Sequence, residues 1–258
     1  MINKKYIKLL RSQQRFRENN FIYKTIAKRI IDSLDLLNLD ILQALEIGIN
    51  ENVVYDYLKQ RYNNLYIHRA DLYDSEKINI NRSKFIKIDI DNLELEKKYY
   101  NLIYSNCFIF LNNNFVNTLK RIFESLNSNG VFITALPDKN NMFQLVNSMY
   151  KADQHFYDGY FQRFNPTIEV NTIFDILKKL NYDSPSIHSD IININYDNFK
   201  VLLNDIRFMG LSYCYKDKKK SFENKSYFDF VEKFYKNEYF KEKYFLDIRI
   251  NIITAWKK

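Results

Sequence analysis

Apolar positions recur along this chain in two rhythms, and the alternation between them lays out its elements. Ile22, Ile26, Ile30, Ile31, Leu34 and Leu37 fall at helical spacing and predict a helix over about residues 20–37. Asn38, Leu39 and Asp40 break that pattern. Short apolar runs then predict buried strands at 43–49, 65–70 (ending at Asp71), 84–88 (ending at Asp89) and 100–106, with a helix at 53–62 after the first. A further helix over 115–126 carries Val116, Leu119, Ile122, Phe123 and Leu126 on one face. Asn127-Ser128-Asn129-Gly130 predicts a helix-ending turn that needs a positive φ, and a fifth strand at 131–136 is closed by Pro137.

Strands separated by helical patterns argue for parallel βαβ units in a doubly wound α/β sheet. Ligands of such sheets bind beyond the carboxyl ends of the strands, near the switch point. After Pro137 the rhythm turns mostly helical, at about 141–155, 169–180, 197–210 and 225–241, around a strand at 186–196. A long apolar alternation at 247–256 predicts a final strand. The organisation expected is an N-terminal helical segment (1–40), a Rossmann-like core (41–137), a helical elaboration with one strand (138–245) and a closing strand (246–258).

Composition narrows the function classes. No apolar run reaches the roughly 18 residues of a membrane span. Met1-Ile2-Asn3-Lys4-Lys5 lacks the apolar stretch of a secretory signal, which predicts a cytoplasmic protein. Cys107 and Cys214 form no C-x-x-C and predict buried reduced thiols. His68, His155 and His188 have no metal-ligand spacing, so no metal site is expected. The net charge of +8 invites nucleic acid. Yet Lys, Asn, Ile and Tyr are enriched throughout while Gly and Pro are scarce, as an AT-biased genome produces. The expectation is therefore no nucleic-acid partner; an acidic protein partner attracted by the general positive field stays open.

Glycine carries the chemistry. The chain has only 4, against roughly 18 at ordinary usage, and Gly48 follows the first strand in Glu46-Ile47-Gly48-Ile49-Asn50-Glu51-Asn52. Glu46, Asp71 and Asp89 fall at the ends of three successive strands, which lie side by side in such a sheet. Asp71 is placed to accept hydrogen bonds from two ribose hydroxyls. Asp89 suits an adenine amino group, Ile90 would pack on the ring, and Gly48 would let the backbone approach the ligand. The plainer reading of each acid is an N-cap or a loop residue.

At these residues the chain resembles the class I S-adenosylmethionine-dependent methyltransferases. Glu46-Ile47-Gly48, Asp71, Asp89 and Leu126-Asn127-Ser128-Asn129-Gly130-Val131-Phe132 carry the resemblance. It implies a mostly parallel seven-stranded sheet with helices on both faces and a helical C-terminal elaboration. It also implies S-adenosylmethionine as cofactor, held by Glu46, Gly48, Asn50, Asp71, Leu72, Asp89, Ile90 and Asn106.

A narrower resemblance extends through Leu10-Arg11-Ser12-Gln13-Gln14-Arg15, Phe164-Asn165-Pro166, Asn204-Asp205-Ile206-Arg207-Phe208-Met209-Gly210 and Ile253-Thr254-Ala255-Trp256-Lys257. These runs are similar to the branch of the complex I assembly factors that hydroxylate an arginine, with the malonyl-carrier-protein methyltransferases of biotin synthesis as neighbours. The branch implies a protein client such as a respiratory complex I subunit, or an acyl carrier protein. It implies the mitochondrial matrix if the source is eukaryotic and the cytoplasm if it is bacterial.

The departures are as specific as the matches. Asn50 and Asn52 replace the second and third glycines of the family turn, and Phe110-Leu111 replaces a His-Trp pair after the fourth strand. Asn is the non-glycine residue best suited to a left-handed backbone, so the turn is expected to survive. No histidine lies among the matched positions and no two-His-one-carboxylate triad is visible, so the catalytic residue is unassigned. Tyr104 and Asn106 are the polar candidates for orienting a substrate. Three readings stay open: a methyltransferase, an arginine hydroxylase, and a client-binding module with a degenerate cofactor site.

Overall fold

The computed structural model describes residues 1–12, 20–73 and 82–258. Gln13, Gln14 and Arg15 of the opening run lie outside the described residues. In chain order the elements are α1 (Lys4–Ser12), α2 (Phe21–Asp35), β1 (Gln43–Ile47), α3 (Val53–Arg61), β2 (Tyr66–Asp71), β3 (Ser83–Lys87) and a 3-10 turn (Ile90–Asn92). They continue with β4 (Tyr100–Asn106), α4 (Phe115–Ser125), β5 (Leu126–Pro137), α5 (Phe143–Tyr157) and α6 (Val170–Lys179). The last four are β6 (Asp183–Tyr196), α7 (Phe199–Phe208), α8 (Lys225–Tyr239) and β7 (Tyr244–Lys257).

The seven strands form one sheet in the order β3-β2-β1-β4-β5-β7-β6. Strands β1 to β5 pair in parallel, and β7 runs antiparallel to β5 from Gly130↔Lys257 to Pro137↔Ile250. The reversal between β1 and β4 is the switch point of the doubly wound fold expected from the apolar rhythm.

The chain divides into two compact units, each built from separated segments. The core unit comprises 20–138, 167–190 and 250–258; the other comprises 1–19, 139–166 and 191–249. The stretch 138–245 thus contributes to both.

In the core unit the strand period of two sends alternate side chains to opposite faces. Leu45, Ile47, Ile103 and Phe132 join Leu119 and Ile122 of α4 and Ile173 and Leu177 of α6 in one apolar cluster. Helix α2 packs against α3 and β4 and buries Ile22, Ile26, Ile30 and Leu34. In the second unit α5 packs on α8, and Tyr227, Val231 and Tyr235 of α8 are buried.

The connection from α4 to β5 differs from its sequence reading. Helix α4 ends at Ser125, and pairing with β4 already begins at Leu126, with an irregularity in register before Val131. The positive φ belongs to Asn129 (62°) and not to Gly130. Gly130 is needed for closeness: a Cβ there would lie 2.9 Å from the carbonyl oxygens of Asn127 and Tyr100.

Candidate cofactor site

The turn after β1 starts from a backbone requirement. Gly48 has φ 85°, a conformation that disfavours side chains, and its N–H donates to the Ala70 carbonyl at 2.7 Å. Asn50 and Asn52 do not share that geometry: Asn52 has φ −119°, and Asn50 is not among the residues with positive φ. The two substitutions therefore cost the turn no left-handed strain, for a simpler reason than asparagine's tolerance of it.

Asn50 spends its side chain on the protein. Its Nδ2 donates to the Asn106 carbonyl at 2.5 Å, and its own carbonyl accepts from Asn20 Nδ2 at 3.1 Å. Asn106 in turn donates through Nδ2 to the Tyr23 carbonyl at 2.8 Å. These amides stitch the start of α2, the turn after β1 and the end of β4 together.

Asp71, at the end of β2, is 3% exposed. One carboxylate oxygen accepts from the Ile49 N–H at 2.7 Å and the other from the Tyr73 N–H at 3.1 Å. Asp89 is exposed, and its carboxylate accepts from the Asp91 N–H at 3.1 Å as the N-cap of the 3-10 turn. Ile90 is buried and Leu72 half-buried, both against the core cluster.

Glu46 lies within β1 and not beyond it. The parallel register aligns Glu46 with Arg69 on one side and Tyr104 on the other. Arg69 Nε donates to Glu46 Oε2, with both side chains almost fully buried, and the Tyr55 ring lies 4.4 Å from the Arg69 guanidinium carbon. Burial lowers Arg69, but the Glu46 charge and hydrogen bond more than offset it, so the guanidinium stays charged. Burial raises Glu46, and Arg69 opposes that rise.

Glu51 is 4% exposed; Arg69 Nη2 donates to its backbone carbonyl at 3.1 Å, and among the described residues no cation forms an ion pair with its carboxyl. Burial, with Glu46 adding repulsion, pushes it up to about 7 against the hydrogen bond from the Val53 N–H.

Phe108 completes the site. A Cβ built on Gly48 would lie 2.2 Å from Phe108 Cγ, so the ring rests on the bare face of the glycine. Phe108 is 1% exposed and follows Cys107, which holds an uncommon φ of 50°. Cys107 is no activated nucleophile, since burial pushes its thiol up to about 12. Phe110 and Leu111, at the His-Trp position, are partly buried against the core. Among the described residues no group of three or more His, Cys, Asp or Glu is placed to hold a metal ion.

The structure thus gathers Gly48, Asn50, Asp71 and Asn106 at the carboxyl ends of β1, β2 and β4. It keeps Glu46 inside the sheet, in a pair with Arg69, and uses Asp89 as a cap. Sequence reasoning missed Arg69, Glu51 and Phe108. A charged residue in each of two buried adjacent strands was a legible sign of the Glu46–Arg69 pair; the apolar Phe108 gave none.

Comparison with solved structures shows the fold. A Bacillus halodurans structure superposes with a TM-score of 0.61 at 9% identity, covering 90% of this chain and 98% of that one. An S-adenosylmethionine-dependent methyltransferase from Archaeoglobus fulgidus gives 0.51 at 13% identity over 91% and 94%. Haemonchus contortus phosphoethanolamine N-methyltransferase 2, in complex with S-adenosylmethionine, gives 0.53 at 15% over 89% and 52%. This is the class I methyltransferase fold.

Sequence relatives agree with the fold. The mitochondrial arginine-hydroxylase NDUFAF5 of Dictyostelium discoideum is 26% identical over 218 residues, covering 74% of this chain and 49% of its own. Its human counterpart is 21% identical over 199 residues (76% and 57%). Malonyl-[acyl-carrier protein] O-methyltransferase 1 of Coxiella burnetii is 21% identical over 203 residues (79% and 69%). The chain spans about half the length of the arginine-hydroxylase relatives it matches. No family model matches the sequence. No helix among the described residues is long and apolar enough to cross a membrane.

At Gly48 the site as it is packed is tight for the fold's cofactor. A ligand crossing Gly48 meets the Phe108 ring. Asn50, Asp71, Asn106 and Phe108 are each under 5% exposed, and Asn106 Oδ1 is buried without a hydrogen-bond partner.

Proposed function

We propose that this chain is a client-binding protein of the arginine-hydroxylase branch of the methyltransferase superfamily, in which the cofactor seat is closed by the protein's own side chains. The client is a protein, with a respiratory complex I subunit as the candidate that the branch resemblance implies. The setting is the mitochondrial matrix, or the cytoplasm of a bacterium with an AT-biased genome.

The Phe108 ring on Gly48 carries this reading. Exposing a fully buried phenylalanine costs about 1.5–3 kcal/mol. A cofactor that must first displace it loses roughly 10- to 150-fold in affinity, since the competent state is scarce in proportion to that cost. The malonyl-carrier-protein reading requires methyl transfer and therefore depends on the seat that Phe108 fills.

Calorimetric titration with S-adenosylhomocysteine tests the proposal. Wild-type protein is expected to give no saturation below millimolar ligand. Phe108→Ala combined with Asn50→Gly is expected to bind at least about tenfold more tightly, as the displaced ring and amide no longer compete. Micromolar binding by the wild type would overturn the closed seat. A gain of one methyl group or one oxygen on a candidate client, read by mass spectrometry, would replace the proposal with a transferase or a hydroxylase.

A further inference from the structure

The net charge of the chain is not spread over it. The second unit holds 21 Lys and Arg against 12 Asp and Glu, a balance of +9; the core unit holds 18 against 19, a balance of −1. The positive field therefore belongs to the unit that does not contain the cofactor seat.

That unit also contains a cavity of about 770 Å³. Its apolar lining comes from α5 and α7 (Leu145, Met149, Leu203 and Ile206) and from Phe228 of α8. Its cations are Arg163, Arg207, Lys216, Lys218, Lys219 and Lys220, with Glu223 as the acid among them.

Two of the cations are committed. Arg163 is paired with Asp153, which is fully buried, and bonds Glu223 at 2.6 Å; Lys219 bonds Glu223 at 2.7 Å. Glu223 is therefore neutralised twice over. Lys218 donates to the Tyr6 hydroxyl at 3.0 Å and lies 4.4 Å from the centre of that ring, a contact that leaves its charge uncompensated. Arg207, Lys216 and Lys220 have no acidic partner among the described residues. Among the described residues, four cations thus line an apolar hollow with no carboxylate paired to them, Glu223 being taken by Arg163 and Lys219.

We propose that this cavity is the client-docking site and that it takes an acidic peptide segment, with an apolar side chain in the hollow and flanking carboxylates on Arg207, Lys216, Lys218 and Lys220. The inference deepens the client-binding reading and rests on it. Four spread cations exceed what one carboxylate-headed acyl chain would need. A hollow with apolar walls suits a side chain better than a nucleic-acid backbone, which is tracked by an open basic groove. Opposite charge across such a contact sets encounter rate and partner choice.

The test is fluorescence anisotropy of the full chain with a labelled acidic peptide of Glu and Asp carrying one central Phe. Binding is expected to be saturable and to weaken as salt rises. Lys216→Glu with Lys220→Glu is expected to lower affinity about tenfold or more while the circular dichroism spectrum is unchanged. Replacing the central Phe of the peptide by Gly is expected to weaken it several-fold. Equal binding by the wild type and the charge-reversed protein would overturn the proposal. So would tighter binding of a dodecathymidylate or of dodecanoate than of the peptide. The seat is read by the S-adenosylhomocysteine titration alone, so failure here with that titration still silent removes the docking site and leaves the closed seat standing.

Discussion

Gly48 and Phe108 occupy one contact from two sides: the absent side chain of the first is the space taken by the ring of the second, 2.2 Å from where a Cβ would stand. The superfamily's turn keeps its glycine for backbone approach to a ligand; here a phenylalanine makes that approach.

Gly48→Ala should therefore cost more than a glycine turn ordinarily does. The φ of 85° penalises any side chain by about 1–3 kcal/mol, and overpacking against Phe108 adds a similar amount. In a Phe108→Ala background the second contribution disappears. Urea unfolding of the two single variants and the double variant should reveal a coupling of about 1 kcal/mol or more. Simple addition of the single costs would refute the contact.

Glu51 makes stability depend on pH in a defined window. Its carboxyl ionises near 4.5 in the unfolded chain and is pushed up to about 7 in the folded one by burial and by Glu46. Between those values the folded state binds the extra proton. Its contribution is complete below pH 4.5 and is lost as pH rises through 7. The loss is on the order of 3 kcal/mol for a shift of this size. Glu51→Gln should flatten the difference in unfolding free energy between pH 5 and pH 8; an unaltered difference would assign the dependence to other groups.

How much of this was legible in the sequence follows from what each signal measures. Apolar periodicity reports burial, and it located β1, β2, β4, α2 and α4, along with the order of acids at the strand ends. It also placed Gly48, because no other residue type suits its φ cheaply. It could not report where a buried side chain points across a turn. Phe108 reads as ordinary core, and only the φ of 50° at Cys107 and the register of β1 with β4 bring it onto Gly48. Position after a strand also does not reveal a carboxylate's partners: Glu46 is paired with Arg69 inside the sheet, and Asp89 accepts from the Asp91 N–H. The division into two units was hidden for a similar reason, since its segments are far apart in the chain.

The Glu46–Arg69 pair should behave as a buried ion pair with each partner necessary to the other. Arg69→Met leaves an uncompensated carboxylate beside Glu51 and Asp71, and a loss of about 3–5 kcal/mol is expected. Glu46→Leu combined with Arg69→Met removes both charges and should recover most of that loss. Chemical denaturation of the three proteins at pH 7 checks it. A double variant no more stable than Arg69→Met would show that the pair itself, and not the stranded charge, supplies the energy.

Lys257, the last residue of β7, holds the C-terminal end of α4. Its Nζ donates to the carbonyls of Phe123 at 2.9 Å and Leu126 at 2.7 Å, and approaches that of Glu124 at 3.4 Å. The last carbonyls of a helix lack partners within it, and a cation there also meets the negative end of the helix dipole. Burial and Lys98 oppose the charge, lowering the ammonium below its ordinary value. The expected net gain is therefore at the low end for charged hydrogen bonds, about 1–2 kcal/mol. Lys257→Met keeps the stem that packs by the Phe123 ring while removing the donor, so its cost isolates the three carbonyl contacts. Hydrogen exchange should then rise in the last turn of α4 and leave β1 and β2 protected. Uniform loss of protection across the sheet would mean that Lys257 holds β7 in register and does not cap α4.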